Sequence, residues 1–283
     1  LEEGDSIYYN SSTPHGMIAV GGQDCLFVAV VLPGESETEE IVSDKLIRTH
    51  IAKKPMVSEA FIKTEENEDG TLRSISFKDE DRFNFAFDVV DAIAKKNPDK
   101  LAMLHISNDK TERRFSFNDM KRASNQCANY FKSLGIKKGD RVMLVLKRHY
   151  QFWFAMLGLN KIGAIAIPAT NQLQQHDFEY RFKSAGVSAI ICTADGDVAH
   201  QVELAEKESP TLVRKLLVGG EREGWRNFDE EYPLYSAHFY RNDKTPCGDD
   251  LMLMFFTSGT TGYPKIAAHS YKYPLGHYIT AKY

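Results

Sequence analysis

Leu251-Met252-Leu253-Met254-Phe255-Phe256-Thr257-Ser258-Gly259-Thr260-Thr261-Gly262-Tyr263-Pro264-Lys265 is the stretch on which the fold of this chain turns. Its first six residues form an unbroken apolar run, the pattern of a strand buried on both faces of a parallel sheet. Of the nine that follow, seven are Gly, Ser, Thr or Lys. Glycines allow positive φ and close approach of backbone N–H groups to an anion, and the hydroxyls of Thr257, Ser258, Thr260 and Thr261 add donors. Lys265 adds a full positive charge. Together they predict a cradle for a polyphosphate at the carboxyl end of a sheet strand, where α/β folds place their ligands.

The spacing is not that of the P-loop of ordinary NTPases, Gly-x4-Gly-Lys-Ser/Thr. It is Gly259-x2-Gly262-x2-Lys265, and Pro264 makes direct entry into a helix at Lys265 less natural. A polar turn between two strands is the plainer alternative; the buried strand before it and the residue order favour the cradle.

Working back from this strand, the periodicity switches repeatedly between helix and strand. A helix is expected over 87–94, stopping at Asn97-Pro98, then paired strands over 101–106 and 113–116. Ser116-Phe117-Asn118-Asp119 can cap a helix running to Gly135. Strands follow over 141–146, 164–167, 189–192 and 215–218, separated by helices over 150–161, 175–184 and 199–208. This alternation implies βαβ units and a mostly parallel sheet. Phe152-Trp153-Phe154 reads as the core face of its helix, Lys147-Arg148-His149 as the sheet-top edge of a strand, and His269 and His277 as residues able to approach the ligand site. Residues 219–250 read as a long polar connection.

The chain has 283 residues, 35 Lys+Arg against 39 Asp+Glu, and 26% charged and 42% hydrophobic residues, close to globular averages. The net charge of -4 leaves no basic excess for nucleic acid or an anionic membrane in this region, although a DNA-binding module could lie upstream of Leu1. No apolar run approaches the ~18 residues of a membrane span. Cys25, Cys127, Cys192 and Cys247 are scattered without metal spacing and read as reduced thiols, three of them in apolar settings. No metal site is expected, and the expected location is cytoplasmic. Residues 35–81, with clustered Glu35, Glu37, Glu39, Glu40, Glu65, Glu66, Glu68 and Asp69, read as a solvated acidic linker with short local structure, including a thin helix over 38–49.

Thr257 to Lys265 resembles the phosphate-binding motif of the adenylate-forming (AMP-binding) superfamily, Thr-Ser-Gly-Thr-Thr-Gly-x-Pro-Lys. Leu159-Asn160-Lys161-Ile162-Gly163-Ala164-Ile165-Ala166-Ile167-Pro168 is similar to its second signature, and Gly139-Asp140-Arg141-Val142 stands at the expected place before it. Phe83-Asn84-Phe85-Ala86, Tyr180-Arg181 and Glu223-Gly224-Trp225 most resemble the medium-chain acyl-CoA synthetase branch. The resemblance implies an enzyme that binds MgATP and a carboxylic acid, forms an acyl-adenylate and pyrophosphate, and then lets CoA displace AMP. It implies that Thr257, Ser258, Gly259, Thr260, Thr261 and Gly262 wrap the β and γ phosphates with Lys265 nearby. ATP, Mg2+ and CoA are thus the expected cofactors and substrates. The ribose-gripping Asp, the hinge and the lid lysine would lie after Tyr283, so the catalytic residues are expected downstream and this portion alone is expected to be inactive.

The front end resembles something else. Gly4-x5-Asn10-x-Ser12-x2-His15 is similar to the second cupin motif, with Ala19 at its last position, and Ser6 to Val31 reads as a small antiparallel β unit. His15 matches a cupin ligand position, but with Ala19 breaking the motif metal binding there is not the favoured reading. The expected fold class is therefore α/β: an incomplete adenylate-forming N-terminal domain over 82–283, with a mostly parallel sheet and flanking helices. A linker over 35–81 and a partial cupin over 1–34 precede it. Two functions follow from the resemblances, a carboxylic acid:CoA ligase or a cupin-containing regulator that senses a nucleotide or acyl ligand without turnover.

Overall fold

The computed structural model describes residues 57–257 and 262–283. The β unit expected over 1–34 with His15, the helix over 38–49, and Ser258, Gly259, Thr260 and Thr261 lie outside the described residues.

The core of the fold is a seven-stranded sheet. Its strands, in chain order, are β5 (Arg141–Val145), β6 (Ile165–Pro168), β7 (Val187–Thr193), β8 (Arg214–Val218), β9 (Arg226–Asn227), β10 (Leu251–Thr257) and β11 (Lys265–Ser270). Across the sheet the order is β11-β10-β6-β5-β7-β8-β9. Every pairing is parallel except β10 with β11. The central strands are continuous apolar runs because both faces are covered. Side chains alternate between those faces: Val142, Leu144, Ala189 and Ile191 enter one core layer, Met143, Val145, Ile190 and Cys192 the other.

Helices α2 (Phe117–Ser133) and α3 (Gln151–Ile162) cover the first face; α4 (Gln175–Ala185) and α5 (Val198–Glu206) cover the second. The start of α2 is set by the expected cap. Ser116 Oγ accepts from the Asp119 N–H at 3.1 Å, and the Asp119 carboxylate accepts from the Ser116 N–H at 2.8 Å. Met120, Ala123, Cys127, Ala128 and Phe131 form its buried stripe. Gly158 of α3 lets the two helices touch, since a Cβ there would lie 2.7 Å from Cys127 Cβ.

Two expectations need correction. Phe152-Trp153-Phe154 does not form one core face: successive helical residues point about 100° apart, so Phe154 is buried while Trp153 is 51% exposed. The acidic stretch read as linker also contains a hairpin, β1 (Ile62–Glu66) with β2 (Leu72–Phe77). Its Ile62 joins Phe83 and Leu275 in a small separate core. A second hairpin pairs β3 (Leu101–Ile106) with β4 (Glu112–Ser116), as the pattern suggested. Near the chain's end, after the short helix α6 (Phe228–Glu231), α7 (Tyr273–Gly276) and α8 (Tyr278–Lys282) follow β11, and Lys282 of α8 donates to Glu66 of β1 at 2.5 Å.

The expected helix near 87–94 is a π-helical turn over Ala86–Asp91 running into α1 (Ala92–Lys96). Asn84, fully buried, donates to the carbonyls of Asn160 (3.0 Å) and Pro246 (2.9 Å). The turn brings Asp91 to Lys161 Nζ, which has no solvent exposure and donates to both Asp91 oxygens (2.9 and 3.1 Å), Ser124 Oγ (2.9 Å) and Asn125 Oδ1 (2.6 Å). Burial pushes the Asp91 carboxyl above its ordinary range and the Lys161 amine below its own, so desolvation outweighs their attraction. Such a pair adds little net stability but is costly to break. Lys161→Met, which strands the Asp91 carboxylate, should lower unfolding stability by about 3–5 kcal/mol. Lys161→Met with Asp91→Leu should lose less than the single variant in the same urea titrations.

At the opposite edge of the sheet, Glu203 of α5 accepts two hydrogen bonds from Arg222 (2.6 and 2.7 Å) and one from Trp225 Nε1 (2.8 Å). The Arg222 guanidinium, assisted by Trp225, lowers the Glu203 carboxyl from 4.5 to about 2. A depressed carboxyl contributes stability above its unfolded value that is lost as pH falls through the folded one. Native stability should therefore drop between about pH 4.5 and pH 2, and Glu203→Gln should flatten that limb. Because water reaches both partners, the effect should stay below about 1 kcal/mol.

Candidate functional site

Thr257 ends β10 and stands directly across from Lys265, the first residue of β11, so the Gly/Thr-rich segment joins two antiparallel neighbours at the carboxyl end of β10. A strand rather than a helix follows Pro264, the outcome the proline favours. Thr257 Oγ1 makes a long 3.4 Å contact to the Lys265 carbonyl. Gly262 adopts φ +92°, a left-handed conformation that L side chains rarely take, and among the described residues a Cβ there would meet no atom within 4 Å. Lys265 is exposed and enters no ion pair among the described residues.

The structure thus brings Thr257, Gly262 and Lys265 to one sheet edge. Ser258, Gly259, Thr260 and Thr261 connect them in sequence and lie outside the described residues. A left-handed glycine, a threonine hydroxyl and a lysine with no ion pair among the described residues suit the donor chemistry that a polyphosphate needs.

Neighbouring strands bring polar groups to the same carboxyl edge. After β5, Lys147 takes φ +49°, a strained conformation for a residue with a Cβ. His149 then reaches across to β7, with Nε2 2.7 Å from Thr193 Oγ1 and 3.4 Å from Asp195 Oδ2. Between the ends of β5 and β6, Lys147, Arg148, Thr170 and Asn171 rim a cavity of about 280 Å³ whose floor includes Leu144, Leu146 and Phe152. Lys147-Arg148-His149 therefore occupies the sheet-top edge expected of it.

Among the described residues, the aromatic contacts of His269 and His277 are to Tyr273 and Phe255. His269 meets Tyr273 with tilted rings (4.2 Å between ring centres) and Phe255 edge-on (5.7 Å), and Tyr273 in turn meets His277 (4.4 Å). His269 lies four residues along β11 from Lys265, about 13 Å at ~3.3 Å per residue. Among the described residues no three His, Cys, Asp or Glu side chains form a metal-binding group, and no helix is long and apolar enough to cross a membrane. Cys127 and Cys192 are buried, and burial raises both thiols, Cys192 to about 12; Cys247 is half-buried.

Sequence reasoning missed Tyr180 as a site residue. Its hydroxyl donates to the Pro264 carbonyl at 2.7 Å and its ring stacks on Tyr263 at 4.6 Å. Tyr180-Arg181 entered the sequence reading only as part of a resemblance, and the signal for a role was an aromatic residue placed off the buried Phe178/Phe182 stripe of α4.

Comparison with known proteins places the chain in a family. The family model described as AMP-binding enzyme matches residues 90–282. The acyl-coenzyme A synthetase ACSM5, mitochondrial, of Rattus norvegicus is 36% identical over 202 residues, covering 69% of this chain and 34% of the relative. The acyl-coenzyme A synthetase ACSM3, mitochondrial, of Homo sapiens is 34% identical over 209 residues, covering 71% and 35%. The chain spans about a third of the length of the curated relatives it matches. Among solved structures, a Brucella canis acyl-CoA synthetase superposes with TM-score 0.57 at 26% identity, covering 67% of this chain and 34% of that one. The anthranilate CoA ligase AuaEII in complex with anthranoyl-AMP shares the fold, with TM-score 0.60 at 24% identity, over 70% of this chain and 37% of that one.

Proposed function

The chain belongs to the AMP-binding enzyme family, and from that membership we propose that it contributes the ATP-polyphosphate site of an acyl-CoA synthetase, an ATP-dependent carboxylic acid:CoA ligase. The observation that carries this reading is the placement of Thr257, Gly262 and Lys265 around the Gly/Thr-rich connection at the carboxyl end of β10. The acyl-CoA synthetases among its relatives support the choice of acid and CoA as the other substrates.

In this reaction the carboxylate displaces pyrophosphate from the α-phosphorus, and CoA thiolate then displaces AMP. Catalysis of the first step rests on positioning and on charge neutralisation at the leaving pyrophosphate. Lys265 supplies a cation, Thr257 and the hydroxyls of Ser258, Thr260 and Thr261 supply donors, and Gly259 and Gly262 let the backbone turn toward the phosphates. Mg2+ enters with the nucleotide, bound mainly through phosphate oxygens as that ion prefers. Cytoplasmic location stays part of this proposal, the word mitochondrial belonging to the relatives' names.

Carboxylate-dependent exchange of labelled pyrophosphate into ATP by the full-length protein tests the reading. Exchange should appear with at least one acid between acetate and long-chain fatty acids, and its absence with all of them would refute a ligase. Retained MgATP binding without exchange would favour the sensing alternative. In the same protein, Lys265→Ala combined with Thr260→Ala should weaken MgATP binding by about tenfold or more, the scale of one lost charge-assisted hydrogen bond. Unchanged affinity would leave the segment as an ordinary polar turn.

A further inference from the structure

One side chain outside the motif touches the residues on either side of the phosphate segment. Tyr180 meets Phe256, next to the end of β10, with ring centres 6.1 Å apart. It also stacks on Tyr263 at 4.6 Å with planes 18° apart, and its hydroxyl donates to the Pro264 carbonyl at 2.7 Å. That carbonyl belongs to the same planar peptide as the Lys265 N–H. Holding it sets the orientation of the unit from which the Lys265 side chain departs.

The support behind Tyr180 is rigid. Phe178 and Phe182 of α4 are fully buried in the second core layer. The first turn is tied by the Gln174 N–H donating to Asp177 at 3.1 Å. Arg181, held by Asp177, lays its guanidinium 5.2 Å over the Phe256 ring. Tyr263, by contrast, is 73% exposed, and the described contacts that pin it come from Tyr180. An exposed aromatic stacked on the half-buried Tyr180 of α4, one residue from Pro264 and two from Lys265, is well placed to orient that cation.

We infer that Tyr180 is a positioning residue of the phosphate site, fixing Tyr263-Pro264-Lys265 so that the Lys265 ammonium is held toward the bound polyphosphate. The inference rests on the polyphosphate reading proposed above. It adds a residue that acts through Lys265 and does not itself touch the ligand.

Calorimetric titration of the full-length protein with MgATP and with magnesium tripolyphosphate tests it. Tyr180→Phe, which keeps the stack and loses the hydroxyl, should raise both dissociation constants by about 3–10-fold. Tyr180→Ala should raise them by more, and the exposed substitution Tyr263→Ala should fall between, deciding the matter if Tyr180→Ala does not fold. The thermal midpoint of Tyr180→Phe should stay at the wild-type value. In a Lys265→Ala background Tyr180→Phe should add nothing, because residues acting as one unit are not additive. Wild-type affinity in Tyr180→Phe and Tyr263→Ala, or a full Tyr180→Phe effect persisting without Lys265, would overturn the positioning role alone. A wild-type protein that binds neither ligand would instead overturn the polyphosphate reading, and the positioning role with it.

Discussion

The buried ammonium of Lys161 is the constraint on which the arrangement of the first layer depends. It holds Asp91 at the end of the π-helical turn and Ser124 and Asn125 on α2, while sitting at the end of α3. Three elements are thereby fixed to one atom. Two residues later the chain enters the turn into β6, and β6 pairs with β10, the strand that delivers Thr257 to the sheet edge. A shift in α3 would be transmitted along this path, since packed cores repack in discrete steps rather than deform smoothly. Asn84 reinforces the same junction by donating to the Asn160 carbonyl, and Tyr271 does so again at 2.8 Å.

From that frame the site follows by ordinary sheet geometry. Parallel strands send their carboxyl ends to one edge, so the residues after β5, β6, β7 and β10 gather there without special contrivance. β11 is the exception: it reverses direction, pairs antiparallel with β10, and sets Lys265 opposite Thr257. The Gly/Thr-rich segment consequently joins two strands instead of leading into a helix N-terminus. A site built this way draws its charge from a lysine and hydroxyls rather than from a helix dipole, and its precision depends on what fixes its limbs. The contacts of α4 with Phe256, Tyr263 and Pro264 are the structural answer to that need.

Most of the α/β architecture was legible because it rests on local signals. Strands buried on both faces announce themselves as apolar runs, and the Ser116/Asp119 cap marks the start of α2 to the residue. The Gly/Thr-rich segment between β10 and β11 stood out by composition and order, and its polyphosphate role belongs to the proposal. What escaped were features whose meaning lies in distant partners. The β1–β2 hairpin carries few apolar residues in a charged stretch, and its anchor, Leu275, lies about 200 residues away in sequence. Lys161 gave no hint of its burial, because a lysine is almost never buried without a partner and that partner cannot be seen in its own helix. Tyr180 matters through a carbonyl 84 positions further on. Trp153 was misjudged for a different reason, an apolar triplet having been given a single face that helical geometry does not allow.

The central claim is that this sheet edge takes the polyphosphate of ATP, and phosphorus NMR of MgATP titrated with the full-length protein tests it most directly. The β- and γ-phosphorus resonances should shift and broaden with protein concentration, and Lys265→Ala should reduce the change. Resonances unaltered at a protein excess would contradict the account, leaving an AMP-binding fold whose signature segment does not bind the nucleotide.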